Sequence, residues 1–102
     1  MTIEKLSKNQ DEQRIKIFKA LADPARLNIV RLLYQKQDEL NCGEIGTLLA
    51  ISKSAASYHF RTLREAGLTN TRKVGQNKFV KLNQKTFDIL LPGFLTSLEA
   101  EE

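Results

Sequence analysis

The feature that most constrains the fold of this chain is a pair of helix signals separated by only a short turn. Asn41 and Glu44 stand three residues apart, the spacing of a capping side chain and an acid at the start of a helix. After a brief turn, Ser52 can cap a second helix, and Gly67 marks its end because glycine adopts a left-handed backbone most easily. These signals predict a helix-turn-helix over about residues 42–67.

Two more helices are predicted before this pair. Ile15 and Phe18 belong to an apolar series with helical spacing in DEQRIKIFKALAD, which predicts a first amphipathic helix. Asp23-Pro24 combines an N-cap with a proline at the first helical position, so a second helix begins here. The polar stretch from 34 to 39 predicts an exit loop.

The pattern changes after Gly67. Two short segments, LTNTRKV and KFVKL, flank turn residues Gly75 and Asn77, which predicts a β-hairpin over about 68–82. The last segment is helical, but Pro92-Gly93 interrupts it, so the helix kinks or restarts there. With 102 residues, the chain is expected to form one domain, 1–102, mainly α, with about five helices and a two-stranded hairpin.

The second helix of the pair has two contrasting faces. One face is apolar and is expected to point to the core: Ala56, Phe60 and Leu63. The opposite face is polar: Ser54, Ser57, Tyr58 and Arg61. Small first-turn residues allow close approach to a surface, the free first-turn amides favour an anion, and Lys53 adds positive charge. These are the properties of a helix that enters the major groove of DNA.

Positive charge is concentrated in the same part of the sequence. Between Ser52 and Leu82 there are seven basic residues and one acid, so this third of the chain carries +6 while the remainder carries −2. A basic hairpin directly after a helix-turn-helix is typical of a wing that holds flanking phosphates or reaches into the minor groove. Its candidate contacts are Arg72, Lys73, Gln76, Asn77 and Lys78.

Three segments together resemble a known family. ALADPARLNIVRLL, SKSAASYHFRTLREAGL and RKVGQNKFVKL are similar to the ArsR-type bacterial winged-helix repressors, over roughly residues 10–85. The resemblance implies that residues 52–66 form the recognition helix. It further implies DNA contacts at Lys53, Ser54, Ser57 and Tyr58, with Arg61 close by. It also implies a homodimer joined through the first and last helices.

The apolar content of the last segment also favours a dimer. Its apolar residues are too many and too widely spread for a helix with one buried face, and such an excess is commonly hidden between subunits. With two residues of the first helix, the predicted interface comprises Ile15, Phe18, Phe87, Leu90, Leu91, Phe94, Leu95 and Leu98. The alternative is a last helix sunk in the core of the monomer.

Metal ligands are scarce. Metal sensors of the resembled family carry two cysteines near the start of the third helix, or carboxylates and histidines on the last helix. This chain has one cysteine, Cys42, and one histidine, His59, so neither a metal nor another cofactor is expected. Cys42 is either a reactive thiol at a helix N-terminus or a small packed residue. His59 lies beside the apolar stripe of its helix, which predicts a role in packing and hydrogen bonding.

The expected function is that of a transcriptional repressor which binds a pseudo-palindromic double-stranded DNA operator as a homodimer. A polar N-terminus and the lack of a long apolar run indicate a cytoplasmic protein with no membrane partner. An enzyme is not expected, because the sequence has no nucleophile motif, metal set or phosphate loop. The alternatives are a MarR-like regulator and a winged helix that serves only as a protein-interaction module.

Overall fold

The computed structural model describes the backbone of residues 3–99 and the side chains of residues 9–99. The helices are α1 (Ile3–Leu21), α2 (Pro24–Lys36), α3 (Cys42–Leu48), α4 (Lys53–Glu65) and α5 (Gln84–Leu90). The strands are β1 (Leu40–Asn41), β2 (Thr69–Val74) and β3 (Asn77–Leu82), and a 3₁₀ turn follows at Thr96–Leu98. The fold is therefore mainly helical with a small sheet, as predicted, although both ends of the predicted domain 1–102 lie outside the described residues.

The helix starts agree with the predicted caps. The Asp23 carboxylate accepts the backbone N–H of Arg26 at 3.0 Å, and the Asn41 side chain accepts that of Gly43 at 2.8 Å. The Ser52 hydroxyl accepts the N–H of Ala55 at 3.2 Å. Each cap satisfies a backbone donor that has no partner within its helix, and so fixes where the helix begins. No helix in residues 3–99 is long and apolar enough to cross a membrane.

The sheet has three strands rather than the predicted two. Its order is β1-β3-β2, and all neighbours are antiparallel, with Leu40 paired with Val80. Sequence reasoning missed β1 because a strand of two residues carries no alternating pattern. The predicted exit loop was also too long, since α2 continues to Lys36 and ends at Gln37, whose φ is +57°.

The hydrophobic core packs against one side of α4. Buried side chains from every helix and from β3 form one cluster, in which Ile17, Ile29 and Leu33 are almost fully buried. The predicted apolar stripe of α4 is buried in this cluster: Ala56, Phe60 and Leu63. Because this stripe fixes the rotation of α4 about its axis, the opposite face of the helix points outwards.

The C-terminal segment breaks where predicted. After α5 the chain turns through Pro92 and Gly93, whose φ is +84°, and restarts as the 3₁₀ turn. Half of the predicted interface residues on this segment and α1 are buried in the core of the single chain: Phe87, Leu90, Leu95 and Leu98. Their assignment to a subunit interface is corrected, because the break lets both halves of the segment pack onto the same core.

Other residues of the predicted interface remain accessible. Leu91 and Phe94 are half-buried, and the rings of Phe94 and Phe87 stack with centroids 6.2 Å apart. On α1, Ile15 is 52% exposed and Phe18 is 54% exposed. Among the residues predicted to form the dimer interface, the most exposed apolar side chains are therefore those of α1.

Candidate nucleic-acid interface

The outward face of α4 carries the polar residues that the sequence placed there. Ser54, Ser57 and Arg61 are exposed, and Tyr58 is 56% exposed. Arg64, which sequence reasoning did not select, is exposed as well and lies three residues after Arg61. Residues at this spacing are neighbours on one helical face, so the helical pattern alone could have identified Arg64.

A groove of about 560 Å³ lies between α4, the start of α3 and the hairpin. We call it the wing groove. Six of the ten predicted DNA contacts line it: Lys53, Ser57, Arg61, Gln76, Asn77 and Lys78. Arg64 also lines it, so four cationic side chains from two separate elements converge on one concave surface. Such convergence creates a positive potential suited to a polyanion.

The strand register divides the basic residues of the hairpin between two faces. Lys73 and Lys78 are directly paired, and Lys78 is two residues from the buried Val80. Since side chains alternate along a strand, these lysines share the face that turns towards the helices. Arg72 is paired with Phe79 and lies on the other face.

Arg72 has partners on that other face. Its Nε donates to Oε2 of Glu39 at 3.3 Å, its Nη2 donates to Oε1, and its guanidinium lies 5.0 Å from the centre of the Phe79 ring. The hydrogen bond from Arg72 lowers the pKa of the Glu39 carboxyl, and the positive charge of Arg72 adds to this effect. These contacts tie β2 to the residue before β1, and the phosphate contact predicted for Arg72 stays a prediction.

Comparison with known proteins identifies the family. The helix-turn-helix domain family matches residues 21–72, from the end of α1 to the first strand of the hairpin. The uncharacterized HTH-type transcriptional regulator YceK of Bacillus subtilis is 53% identical over 91% of this chain and 93% of its own length. The chain belongs to the ArsR-type family of winged helix-turn-helix transcriptional regulators. It is accordingly a regulator and not an enzyme, and the MarR-like alternative is dropped.

Other relatives extend the similarity. The transcriptional activator HlyU of Vibrio cholerae is 37% identical over 81% of this chain and 74% of its own length. The solved structure of that protein has a TM-score of 0.68, with 35% identity over 85% of this chain and 95% of the other. The transcriptional repressor SmtB homolog of Synechocystis sp. is 35% identical over 78% of this chain and 58% of its own length.

In this ArsR-type regulator, His59 is part of a hydrogen-bonded brace between α2 and α4. Arg26 donates from Nη1 to Nδ1 of His59 at 3.1 Å and from Nε to the carbonyl of Ala20, near the end of α1, at 2.6 Å. Arginine has no acceptor, so Nδ1 of His59 accepts and the neutral ring carries its proton on Nε2. The predicted packing and hydrogen-bonding role of His59 is confirmed, whereas its partner Arg26 was not foreseen.

The same arginine also reaches the exposed polar side of α4. Its guanidinium carbon lies 5.9 Å from the centre of the Tyr58 ring, within the range of a cation–π contact. The Tyr58 ring in turn lies 5.7 Å from that of His59. One side chain from α2 therefore contacts two consecutive residues of α4, Tyr58 and His59.

Cys42 begins α3 of the regulator and is half-buried. Burial raises the pKa of its thiol, an effect that outweighs the opposing influence of Lys78. A protonated thiol is a poor nucleophile, so the structure favours a packed residue over the reactive alternative. Within the described part of the chain, no three side chains of histidine, cysteine, aspartate or glutamate are grouped as metal ligands would be.

Proposed function

We propose that this regulator binds a pseudo-palindromic operator in double-stranded DNA as a homodimer and represses transcription. The observation that carries the proposal is the wing groove, where cationic side chains of α4 and the hairpin face one concave surface. With α4 in the major groove, Ser54, Ser57 and Tyr58 are positioned to read base edges. All three residues are exposed and carry a hydroxyl, which supports this role.

Phosphate binding is assigned to the cations around that surface. On α4 these are Lys53, Arg61 and Arg64, and on the hairpin Lys73 and Lys78. Phosphate contacts set the register of a protein on the duplex, whereas base contacts select the sequence. Gln76 and Asn77, at the exposed tip of the hairpin, are placed to reach the adjacent minor groove.

Dimerisation is supported by the exposed apolar side chains of α1. Ile15 and Phe18 lie three residues apart on one face, and each is more than half exposed. A second copy of the chain would remove this surface from water and place two recognition helices at a fixed spacing. A two-fold dimer reads a two-fold operator with half-sites about 10 base pairs apart, or multiples of that spacing.

Repression follows if the operator overlaps a promoter, because the bound dimer would exclude the polymerase. The similarity to the SmtB homolog, a repressor, supports this direction, whereas HlyU is an activator. The signal is proposed not to be a metal ion, since the sequence has one cysteine and one histidine and His59 is already bound to Arg26. A regulator that binds the bacterial chromosome acts in the cytoplasm.

The decisive experiment is selection of bound duplexes from random double-stranded DNA, followed by titration of the selected operator at several salt concentrations. We expect a two-fold symmetric consensus and an affinity that falls steeply with salt. Ser57→Ala and Tyr58→Ala should reduce the preference for operator over random DNA. Absence of salt-dependent DNA binding would reject the proposal and favour the protein-interaction module.

A further inference from the structure

A second groove, of about 620 Å³, lies on the other flank of α4. We call it the α1 groove. It is bounded by α4 on one side and by α1 and the start of α2 on the other, and its principal side chains are Lys16, Lys19, Arg26, Tyr58, Thr62 and Glu65. Three of these are cationic and one is acidic. All three cations lie outside the basic stretch between Ser52 and Leu82 that the sequence analysis identified.

The two grooves border the same exposed face of α4. With about 100° per residue, Ser57 and Arg64 lie within about 40° of Lys53, on the flank of the wing groove. Tyr58 and Thr62 lie about 140° to 180° from Lys53, on the flank of the α1 groove. The face between these flanks contains Ser54 and Arg61, which are exposed. A helix that lies in a major groove has a phosphate backbone on each side, so cations are useful on both flanks.

The charges of the α1 groove are available to a ligand. Lys16 and Lys19 are exposed, and within residues 9–99 neither is part of an ion pair. The donors of Arg26 are directed to His59 and to backbone carbonyls, so its charge contributes to the potential while its contacts remain internal. Glu65 lines the same groove, but it is exposed and within residues 9–99 forms no ion pair with either lysine.

The same lysines adjoin the proposed dimer surface without belonging to its apolar pair. On α1, Lys16 lies about 100° around the helix from Ile15, whereas Lys19 lies about 40° from Ile15 and borders the pair. Both lysines line the α1 groove, so they face α4 beside a second copy packed on Ile15 and Phe18. Sequence reasoning did not select these lysines because the acids Asp11 and Glu12 nearby cancel their charge in any count along the chain.

We propose that Lys16 and Lys19 bind the DNA phosphate backbone on the side of the recognition helix opposite the wing. This inference rests on the proposed function and adds a second anchoring surface to it. Each half-site is then held between two cationic flanks, the wing groove and the α1 groove. Neither lysine touches a base, so the effect on binding is independent of sequence.

The test compares two double variants with equal loss of charge. Lys16→Ala with Lys19→Ala removes the proposed contacts, whereas Lys36→Ala with Lys85→Ala removes two exposed lysines that line neither groove. Operator and random-sequence duplexes are titrated over a salt series, and the mass of each variant is measured by sedimentation. We expect the plot of log affinity against log salt to become less steep by about 2 for the first variant and to change little for the control.

The location of the contact is tested by ethylation interference. Some phosphates whose ethylation prevents binding of the wild type should no longer do so in Lys16→Ala with Lys19→Ala. These phosphates should lie on one DNA backbone, across the major groove from the phosphates whose effect is lost in Lys78→Ala. If wild type binds but this variant matches the control in slope and interference pattern, the proposal is wrong. If wild type shows no salt-dependent DNA binding, the proposed function fails and this inference fails with it.

Discussion

Nδ1 of His59 in α4 accepts a hydrogen bond from Nη1 of Arg26 in α2 across 3.1 Å. Because Arg26 also donates to the Ala20 carbonyl, one guanidinium connects α1, α2 and the recognition helix. The contact lies behind the exposed face of α4, so it orients that face without occupying it. We therefore expect the single histidine of the chain to position the exposed face of α4.

Replacing either member of the brace should weaken both the fold and operator binding. Arg26→Ala leaves the Ala20 carbonyl and Nδ1 of His59 without their donor, at a cost of roughly 1–3 kcal/mol in the free energy of unfolding. His59→Ala should lower operator affinity although every exposed residue of α4 is unchanged. Urea unfolding and operator titration measure the two effects, with exposed Gln35→Ala as the control. Unchanged affinity in His59→Ala would remove the positioning role.

The two hairpin residues Arg72 and Lys78 should behave differently. Lys78→Ala removes a cation from the wing groove, so the salt dependence of DNA binding should become less steep by about 1. Arg72→Ala should change this slope less, because its guanidinium is bound to Glu39 on the other face of the sheet. Glu39→Gln should reproduce any loss of stability seen in Arg72→Ala. An equal change of slope in the two alanine variants would show that Arg72 contacts phosphate as Lys78 does.

The Asp23 cap should contribute a pH-dependent part of the stability. The backbone hydrogen bond from Arg26 lowers the pKa of the Asp23 carboxyl, burial opposes this effect, and the positive charge of Arg26 adds to the lowering. A lowered folded-state pKa gives stability that is present above the ordinary pKa of about 4 and is lost as the pH falls through the folded value.

Two variants separate the charge of Asp23 from its capping role. Asp23→Ala should cost about 1 kcal/mol in the free energy of unfolding at neutral pH, because the N–H of Arg26 loses its acceptor. Asp23→Asn keeps an acceptor, so its loss in the free energy of unfolding relative to wild type should be smaller than that of Asp23→Ala. This loss should decrease further as the pH falls from about 5 to about 2, because the Asp23 carboxylate of the wild type then becomes protonated. Denaturant unfolding across this range measures both differences. A deficit of Asp23→Asn that stays constant with pH would contradict the charge effect.

The sequence predicted the local features well because each has a local chemical cause. Asp23, Asn41 and Ser52 cap helices through hydrogen bonds to residues two or three positions away, and these spacings are visible in the sequence. The contacts it missed join distant positions. Arg26 and His59 are 33 residues apart, as are Glu39 and Arg72, and no periodic pattern predicts such pairs.

The C-terminal segment shows a second limit of prediction from the sequence. Its apolar residues exceed what one helical face can bury, and the sequence favoured an interface. The break at Pro92 and Gly93 instead gives the segment two inward faces, which places Leu95 and Leu98 in the core beside Leu90. An excess of apolar residues was correctly recognised, but the route of the chain after the break decided where they are buried.

The exposed pair on α1 should determine the oligomeric state. A glutamate in place of Ile15 or Phe18 would have to be buried without a partner in the proposed dimer, which costs several kcal/mol, whereas the monomer leaves it in water. Ile15→Glu with Phe18→Glu should therefore sediment as a folded monomer and bind the full operator much more weakly than wild type. Gln35→Glu, on the exposed surface of α2, is the control for added charge and should remain dimeric. If the double variant keeps the mass of a dimer, α1 does not form the interface.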